Sequence, residues 1–121
     1  MILLIDDDPS FAADLAALLQ PHHDFVWANR SDLGLKLIDE KQPEQIFLDL
    51  DMPHRLAALD EEEGLEVMRR LSPDMRARVV IVTKSLTSAL RRELERLGAT
   101  RFFIKSEAMT QLKELMGADA R

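Results

Sequence analysis

The 121-residue sequence contains no cysteine. This absence excludes a disulfide framework and a metal site built on thiolates, and it favours a reducing compartment, so we expect a cytoplasmic protein. Long apolar runs are missing as well. The apolar opening of residues 1–6 is too short for a signal peptide, and no stretch approaches the length of a membrane span, so no membrane partner is expected.

Basic residues are in the minority, with 16 Lys and Arg against 22 Asp and Glu and a formal net charge of −6. Binding to a phosphate backbone would need a basic patch, so we expect no direct nucleic-acid binding by this chain. Linkers, repeats and low-complexity tracts are also absent. The length then predicts a single domain, residues 1–121, with no output domain in this chain.

Short apolar runs alternate with amphipathic helical patterns along the chain. The five predicted strands are residues 2–5, 25–28, 45–48, 79–82 and 101–104. Strict alternation of strand and helix predicts an α/β fold, a doubly wound parallel sheet of five strands with helices on both faces. Ligands of such sheets bind beyond the carboxyl ends of the strands.

Helix boundaries are also predicted from single residues. Asp8 before Pro9 is typical of an N-cap, Ser31 is placed to cap the second helix, and Gly98 follows the fourth helix as a C′ residue. Three prolines, Pro21, Pro43 and Pro73, are predicted to fall just past helix ends.

Charged and hydroxyl side chains follow four of the predicted strands. The first strand ends in Asp6, Asp7 and Asp8, and the others end in Asp49, Thr83 and Lys105. Two like charges at about 4 Å repel by roughly 4 kcal/mol at an effective dielectric near 20, so the carboxylates need a cation or a proton. Oxygen ligands with open positions suit Mg²⁺. Each residue alone is commonly a turn former or a cap, and we assign Asp8 to capping, but the combination favours phosphoryl chemistry.

The segments ILLIDDDPS, FLDLDMP, VVIVTKS and GATRFFIK together resemble a response-regulator receiver domain over essentially the whole length. The resemblance implies a flavodoxin-like (βα)5 fold with strand order 2-1-3-4-5. It also implies a role for each matching residue. Asp49 is the phosphoacceptor; Asp7, Asp49 and the backbone carbonyl of Asp51 bind Mg²⁺ directly; Asp6 binds it through water; Thr83 and Lys105 contact the phosphoryl group; Phe102 is the rotating aromatic. We also expect Asp51, Lys84 and Ser85, which lie beside these residues in the sequence, to modulate the reaction.

The resemblance further implies a reaction and partners. A histidine kinase or a phosphotransfer protein would donate its phosphoryl group to Asp49, and the chain would later dephosphorylate itself, without being a dedicated enzyme. The face made by the fourth helix, the fifth strand and the fifth helix would then switch. A downstream protein or output domain would read that face, which is also a candidate homodimer interface.

Three departures from the family pattern stand out. Lys84 replaces a small residue, and it either extends to solvent or contacts the phosphoryl group. Ser106 replaces the proline after the lysine, so we predict a trans Lys105–Ser106 bond and a helix-capping role for Ser106. Between Pro53 and Gly64 the loop carries an insertion, residues 54–60, in which Leu56 and Leu59 could form one apolar side. The insertion is either a tolerated surface segment or a flap over the acyl phosphate.

Two other functions remain open from the sequence. A pseudo-receiver would keep the fold as a protein-binding module without phosphorylation. A haloacid-dehalogenase-like phosphatase would use Asp49 and Asp51 as nucleophile and acid/base, but its motif lies on the first strand rather than in mid-chain. Away from the strand ends, Trp27 is predicted to pack on the second strand and Arg91 to lie on a solvated helix face.

Overall fold

The computed structural model describes the backbone of residues 1–119 and the side chains of residues 1–114. Five parallel strands form one sheet in the order β2-β1-β3-β4-β5, as predicted. The strands are β1 (Ile2–Ile5), β2 (Phe25–Ala28), β3 (Gln45–Asp49), β4 (Val79–Thr83) and β5 (Arg101–Ile104). The third and fourth strands each run one residue further than predicted, so Asp49 and Thr83 belong to the sheet itself.

Six helices connect and follow these strands. They are α1 (Pro9–Leu19), α2 (Ser31–Lys41), α3 (Glu63–Arg70), α4 (Pro73–Arg76), α5 (Ser88–Arg96) and α6 (Lys105–Asp119). The short α4 was not predicted. Its first turn is capped by Ser72, whose hydroxyl accepts a hydrogen bond from Met75 N, so Pro73 opens a helix instead of only following one. No helix among residues 1–119 combines the length and the apolar character needed to cross a membrane.

The sheet separates two apolar layers, because successive side chains of a strand point to opposite faces. On one face, Leu4 and Phe47 pack with α1 and α6 through residues such as Leu15 and Leu112. On the other face, Leu3 and Leu48 pack with the helices that lie between β2 and β5. Both faces are therefore covered, so a ligand cannot bind on them, and the carboxyl ends of the strands are the expected binding edge.

Two of the predicted caps are confirmed. The Asp8 side chain accepts hydrogen bonds from Ser10 N and Phe11 N at the start of α1. Gly98 has a φ of 111° after α5, a conformation that favours glycine and ends the helix there.

Two other capping predictions are wrong. Arg30 is the N-cap of α2, and Ser31 lies inside the first turn with its side chain buried. Helix α6 begins at Lys105, so Ser106 also lies within a first turn and cannot be the N-cap. The Lys105–Ser106 bond is trans, as predicted, and residues 1–119 contain no cis peptide bond.

Candidate functional site

Three carboxylates converge at the carboxyl ends of β1 and β3. Because these strands are parallel neighbours, Asp6 and Asp7 after β1 come next to Asp49 at the end of β3. Oxygen atoms from the three side chains all lie within 4.8 Å of one another. Asp6 and Asp49 are buried whereas Asp7 is exposed, so the cluster opens to solvent on one side.

Lys105 supplies the positive charge of the cluster. Its Nζ lies 2.7 Å from Asp6 Oδ2, 3.4 Å from Asp49 Oδ2 and 3.9 Å from Asp8 Oδ2. Burial alone would lower the pKa of Lys105, but the neighbouring carboxylates, Asp6 foremost, outweigh it and raise that pKa. The lysine therefore stays charged beside Asp49.

Few interactions compensate for the burial of the Asp49 carboxylate. Burial raises the pKa of Asp49 to about 7, and the adjacent Asp6 charge adds to this effect. A hydrogen bond from Asp51 N, 3.1 Å from Asp49 Oδ1, and the Lys105 charge act in the opposite direction without cancelling it. One lysine thus serves two buried carboxylates, which leaves a deficit of positive charge at this edge.

The cluster fits a hard divalent cation. Oδ2 of Asp6 is buried and, among the described residues, accepts no hydrogen bond of ordinary geometry, although it forms the ion pair with Lys105. All three converging side chains offer oxygen, which Mg²⁺ prefers, and the exposed Asp7 leaves room for water ligands. The residues present therefore suit Mg²⁺.

The Thr83 hydroxyl points toward Asp51 rather than Asp49. Its Oγ1 lies 3.1 Å from Asp51 Oδ2 and 3.1 Å from Ser85 O, so the single proton is shared between them. Thr83 is buried, whereas Asp51 and Ser85 are exposed. Thr83 ends the strand next to β3, but its hydroxyl makes no hydrogen bond to the carboxylate of Asp49.

Phe102 and Lys84 are not members of the acidic cluster. Phe102 on β5 is half-buried, and the Arg91 guanidinium of α5 sits 4.6 Å from the centre of its ring. Arg91 is thus engaged with an aromatic face and not merely solvated as predicted. Lys84 is exposed and takes part in no ion pair among the described residues, which agrees with a side chain directed to solvent.

The inserted loop does not form the apolar side that its leucines suggested. Leu56 is half-buried against the core, but the Leu59 side chain is 88% exposed. What holds the loop is a carboxylate, Glu63, which is only 1% exposed. Sequence reasoning missed this residue, because four consecutive acids give no sign of which one turns inward.

Trp27 lies on the second strand, as predicted, but its indole does more than pack there. The residue is 39% exposed, and its indole N–H donates a 2.7 Å hydrogen bond to the carbonyl of Asp6. Trp27 pairs with Leu4 in the sheet, which places it beside the end of β1. The single tryptophan of the chain therefore touches the backbone of a cluster residue.

The sequence profile of the response regulator receiver domain matches residues 2–116 of this chain. The chain belongs to the receiver domain family. Members of this family act in two-component signalling, generally bind Mg²⁺ in their acidic pocket, and interact with histidine kinases and output domains. The haloacid-dehalogenase alternative is thereby set aside.

Known relatives agree with this assignment. The receiver chain is 34% identical over 84 residues to uncharacterised response regulatory proteins of Vibrio vulnificus and Vibrio parahaemolyticus, covering 67% of this chain and 32% of each relative. It therefore spans about a third of the length of these curated relatives.

Solved structures share the fold. The chemotaxis protein CheY4 of Vibrio cholerae superimposes with a TM-score of 0.78 at 18% identity, over 97% of this chain and 95% of that one. A CheY-like receiver domain of Methanospirillum hungatei gives 0.76 at 20% identity, over 98% and 90% of the two chains. At these identities the likeness concerns the fold alone.

Proposed function

We propose that Asp49 of this receiver domain accepts a phosphoryl group from the phosphohistidine of a histidine kinase or a phosphotransfer protein. The observation that carries the proposal is the convergence of Asp6, Asp7 and Asp49 on one edge of the sheet, with Lys105 Nζ 3.4 Å from Asp49. Several carboxylates beside one buried lysine repel one another, so by themselves they do not stabilise the fold. They are suited to bind a cation and a phosphoryl group.

In the proposed reaction, a carboxylate oxygen of Asp49 attacks the phosphorus of the donor. A P–O bond forms, the P–N bond to the donor imidazole breaks, and its electron pair stays on the imidazole nitrogen. Bound Mg²⁺ would neutralise charge on the phosphoryl oxygens, and Asp6, Asp7, Asp49 and the Asp51 carbonyl would hold it. Lys105 lies where its charge favours the ionised, nucleophilic form of Asp49 and stabilises the charge of the product.

Thr83 and Phe102 are the proposed switch. The Thr83 hydroxyl now bonds to Asp51 and Ser85, both of which it would give up to reach a phosphoryl oxygen on Asp49. Phe102 lies under Arg91, so an inward turn of the ring would release that contact on α5. The response is a shift between two populations, limited by the difference in contacts between them. Asp51, Lys84 and Ser85 would modulate its lifetime.

The reader of this switch is proposed to be a downstream protein or an output domain that contacts α5, β5 and α6. The same face is the candidate homodimer interface, and a cytoplasmic location stays a prediction. Residues 1–121 are proposed to form one receiver domain, which agrees with the family match over residues 2–116.

Incubation with acetyl phosphate and Mg²⁺, followed by intact-mass measurement, tests the proposal. We expect one phosphoryl adduct on the wild-type protein and none on the Asp49→Asn variant or in the presence of a chelator. The matched control is Asp51→Asn, which removes the neighbouring carboxylate and should still be labelled. Absence of the adduct on the wild type would favour the pseudo-receiver function instead.

A further inference from the structure

The connection from β3 to α3 forms a closed ring beside Asp49. The chain leaves the sheet through Leu50 and Asp51, passes along the insertion, and returns at Gly64, whose N–H donates a 3.3 Å hydrogen bond to Leu50 O. A Cβ on Gly64 would lie 2.7 Å from Leu50 Cα and 2.9 Å from Asp49 O. Helix α3 therefore begins in direct contact with the backbone of the proposed phosphoacceptor.

Glu63 closes this ring. Its Oε1 accepts hydrogen bonds from the backbone N–H groups of Arg55 and Leu56, each at 3.1 Å, and of Ala57 at 2.9 Å. The Ser31 hydroxyl of α2 donates to its Oε2. The carboxylate thus joins three consecutive amides of the insertion to both α2 and α3, and its charge makes these bonds stronger than neutral ones.

Other contacts make the insertion an ordered unit. The His54 ring nitrogen Nε2 lies 2.7 Å from Glu61 O, and Glu61 N donates to Ala58 O at 2.9 Å. Hydrogen bonds therefore join the two ends of the loop to each other, in addition to those that the loop makes with Glu63. This arrangement differs from a loosely tolerated surface insertion, whose backbone groups would bond mainly to water.

We propose that Glu63 is a positioning residue of the phosphorylation site, which fixes the Asp49–Asp51 turn by holding the insertion and the start of α3 against it. Glu63 lies outside the acidic cluster, and among the described residues its carboxylate makes no hydrogen bond to a proposed metal ligand. It acts on them through Gly64 and Leu50, and through the few residues between Asp51 and Arg55. The inference rests on the proposed function of Asp49.

The test is the Mg²⁺ affinity of the whole chain, measured by titration calorimetry without any phosphoryl donor. Glu63→Gln keeps the size of the side chain but removes its charge and replaces one of the two acceptor oxygens by an NH₂ group, which is itself a donor. We therefore expect Mg²⁺ to bind about tenfold more weakly. Hydrogen exchange at the amides of Arg55, Leu56 and Ala57 should quicken in parallel. Glu62→Gln removes the same charge from a side chain that makes no capping hydrogen bond, and it should leave both readouts unchanged.

A milder pair of variants covers the case in which Glu63→Gln does not fold. Ser31→Ala removes one donor and should weaken Mg²⁺ binding about threefold, whereas Ser31→Thr keeps the hydroxyl and should restore it. A folded Glu63→Gln or Ser31→Ala variant with wild-type Mg²⁺ affinity would overturn the inference. If the wild type takes up no phosphoryl group, the proposed function fails; if it does and only the Mg²⁺ shift is missing, the role of Glu63 alone fails.

Discussion

Asp49 and Glu63 are two buried carboxylates at opposite ends of the same connection, and their surroundings are opposite. Asp49 is 2% exposed and Glu63 is 1% exposed. Burial raises the pKa of Asp49 to about 7. Burial would raise the pKa of Glu63 too, but the hydrogen bonds from Ser31 and from the loop amides outweigh it and lower that pKa.

The difference lies in the donors. Glu63 receives four hydrogen-bond donors. Asp49 receives one backbone N–H and shares Lys105 with Asp6. A carboxylate whose oxygens are fully bonded is a structural anchor, whereas one left short of donors remains available to a cation or a phosphoryl group. Burial alone therefore does not separate a structural acid from a reactive one.

The substitution with the largest expected effect is Glu63→Ala, which tests whether Glu63 is a structural anchor. The change leaves three backbone amides and the Ser31 hydroxyl without their acceptor, so the free energy of unfolding should fall by about 3 kcal/mol. The loss should be full above about pH 4.5, the ordinary value for glutamate, and should fade as the pH drops through the lowered pKa of Glu63. Urea titrations measure it, with Glu62→Ala as the control. A loss below about 1 kcal/mol would contradict the anchor.

Asp49→Asn should instead raise the free energy of unfolding. Because the folded state holds the pKa of Asp49 at about 7, above the ordinary 3.8, the ionised form is destabilised by folding. Wild-type stability should decline as the pH rises from about 4 to 7, and the uncharged variant should be more stable by about 2 kcal/mol near pH 8. Near pH 4 the two proteins should be alike. Urea titration without Mg²⁺ at both pH values tests this, and equal stabilities near pH 8 would contradict it.

Magnesium should sharpen the contrast between the two sites. Millimolar Mg²⁺ should stabilise the wild type by about 1–2 kcal/mol near pH 8, because it binds the folded cluster and not the unfolded chain. Asp7→Asn should remove most of this gain, while Glu62→Gln, which removes the same charge from a residue outside the acidic cluster, should keep it. Thermal unfolding with and without a chelator measures the effect. An equal Mg²⁺ gain in all three proteins would show binding elsewhere.

The smallest effect concerns Arg69 of α3, which forms partly exposed ion pairs with Glu61, just after the insertion, and with Glu93 of α5. Arg69 Nη1 lies 2.8 Å from Glu61 Oε2, and its Nη2 lies 3.0 Å from Glu93 Oε1. These groups are partly exposed, so Arg69→Met should cost no more than about 0.5 kcal/mol, and less at high salt. Unfolding at two salt concentrations measures this cost. A loss as large as that of Glu63→Ala would mean that the loop is held by this surface pair.

Much of the fold followed from the sequence because it depends on periodic patterns. Alternating strands and helices gave the parallel sheet, and the strand ends then brought Asp49, Thr83 and Lys105 to one edge. The trans bond before Ser106 was also predicted. Each of these features depends on which type of residue stands at a fixed position in a strand or helix, and the sequence shows that directly.

What the sequence could not decide depended on side-chain direction in irregular segments. The acids of LDEEEG are equivalent as letters, and only the path of the loop selects Glu63 as the buried one. Ser31 suits an N-cap by type, but its hydroxyl serves that carboxylate instead. Trp27 was predicted only to pack on β2, which is an edge strand, and the sequence does not show that its indole reaches the carbonyl of Asp6.

The central claim is that Asp49 receives the phosphoryl group, and locating the modified residue tests it most directly. After reaction with acetyl phosphate and Mg²⁺, borohydride reduction converts an aspartyl phosphate to homoserine, which peptide mass spectrometry can place in the sequence. The account predicts homoserine at position 49 alone. Homoserine at position 6, 7 or 51, or no conversion in a protein that binds Mg²⁺, would contradict it.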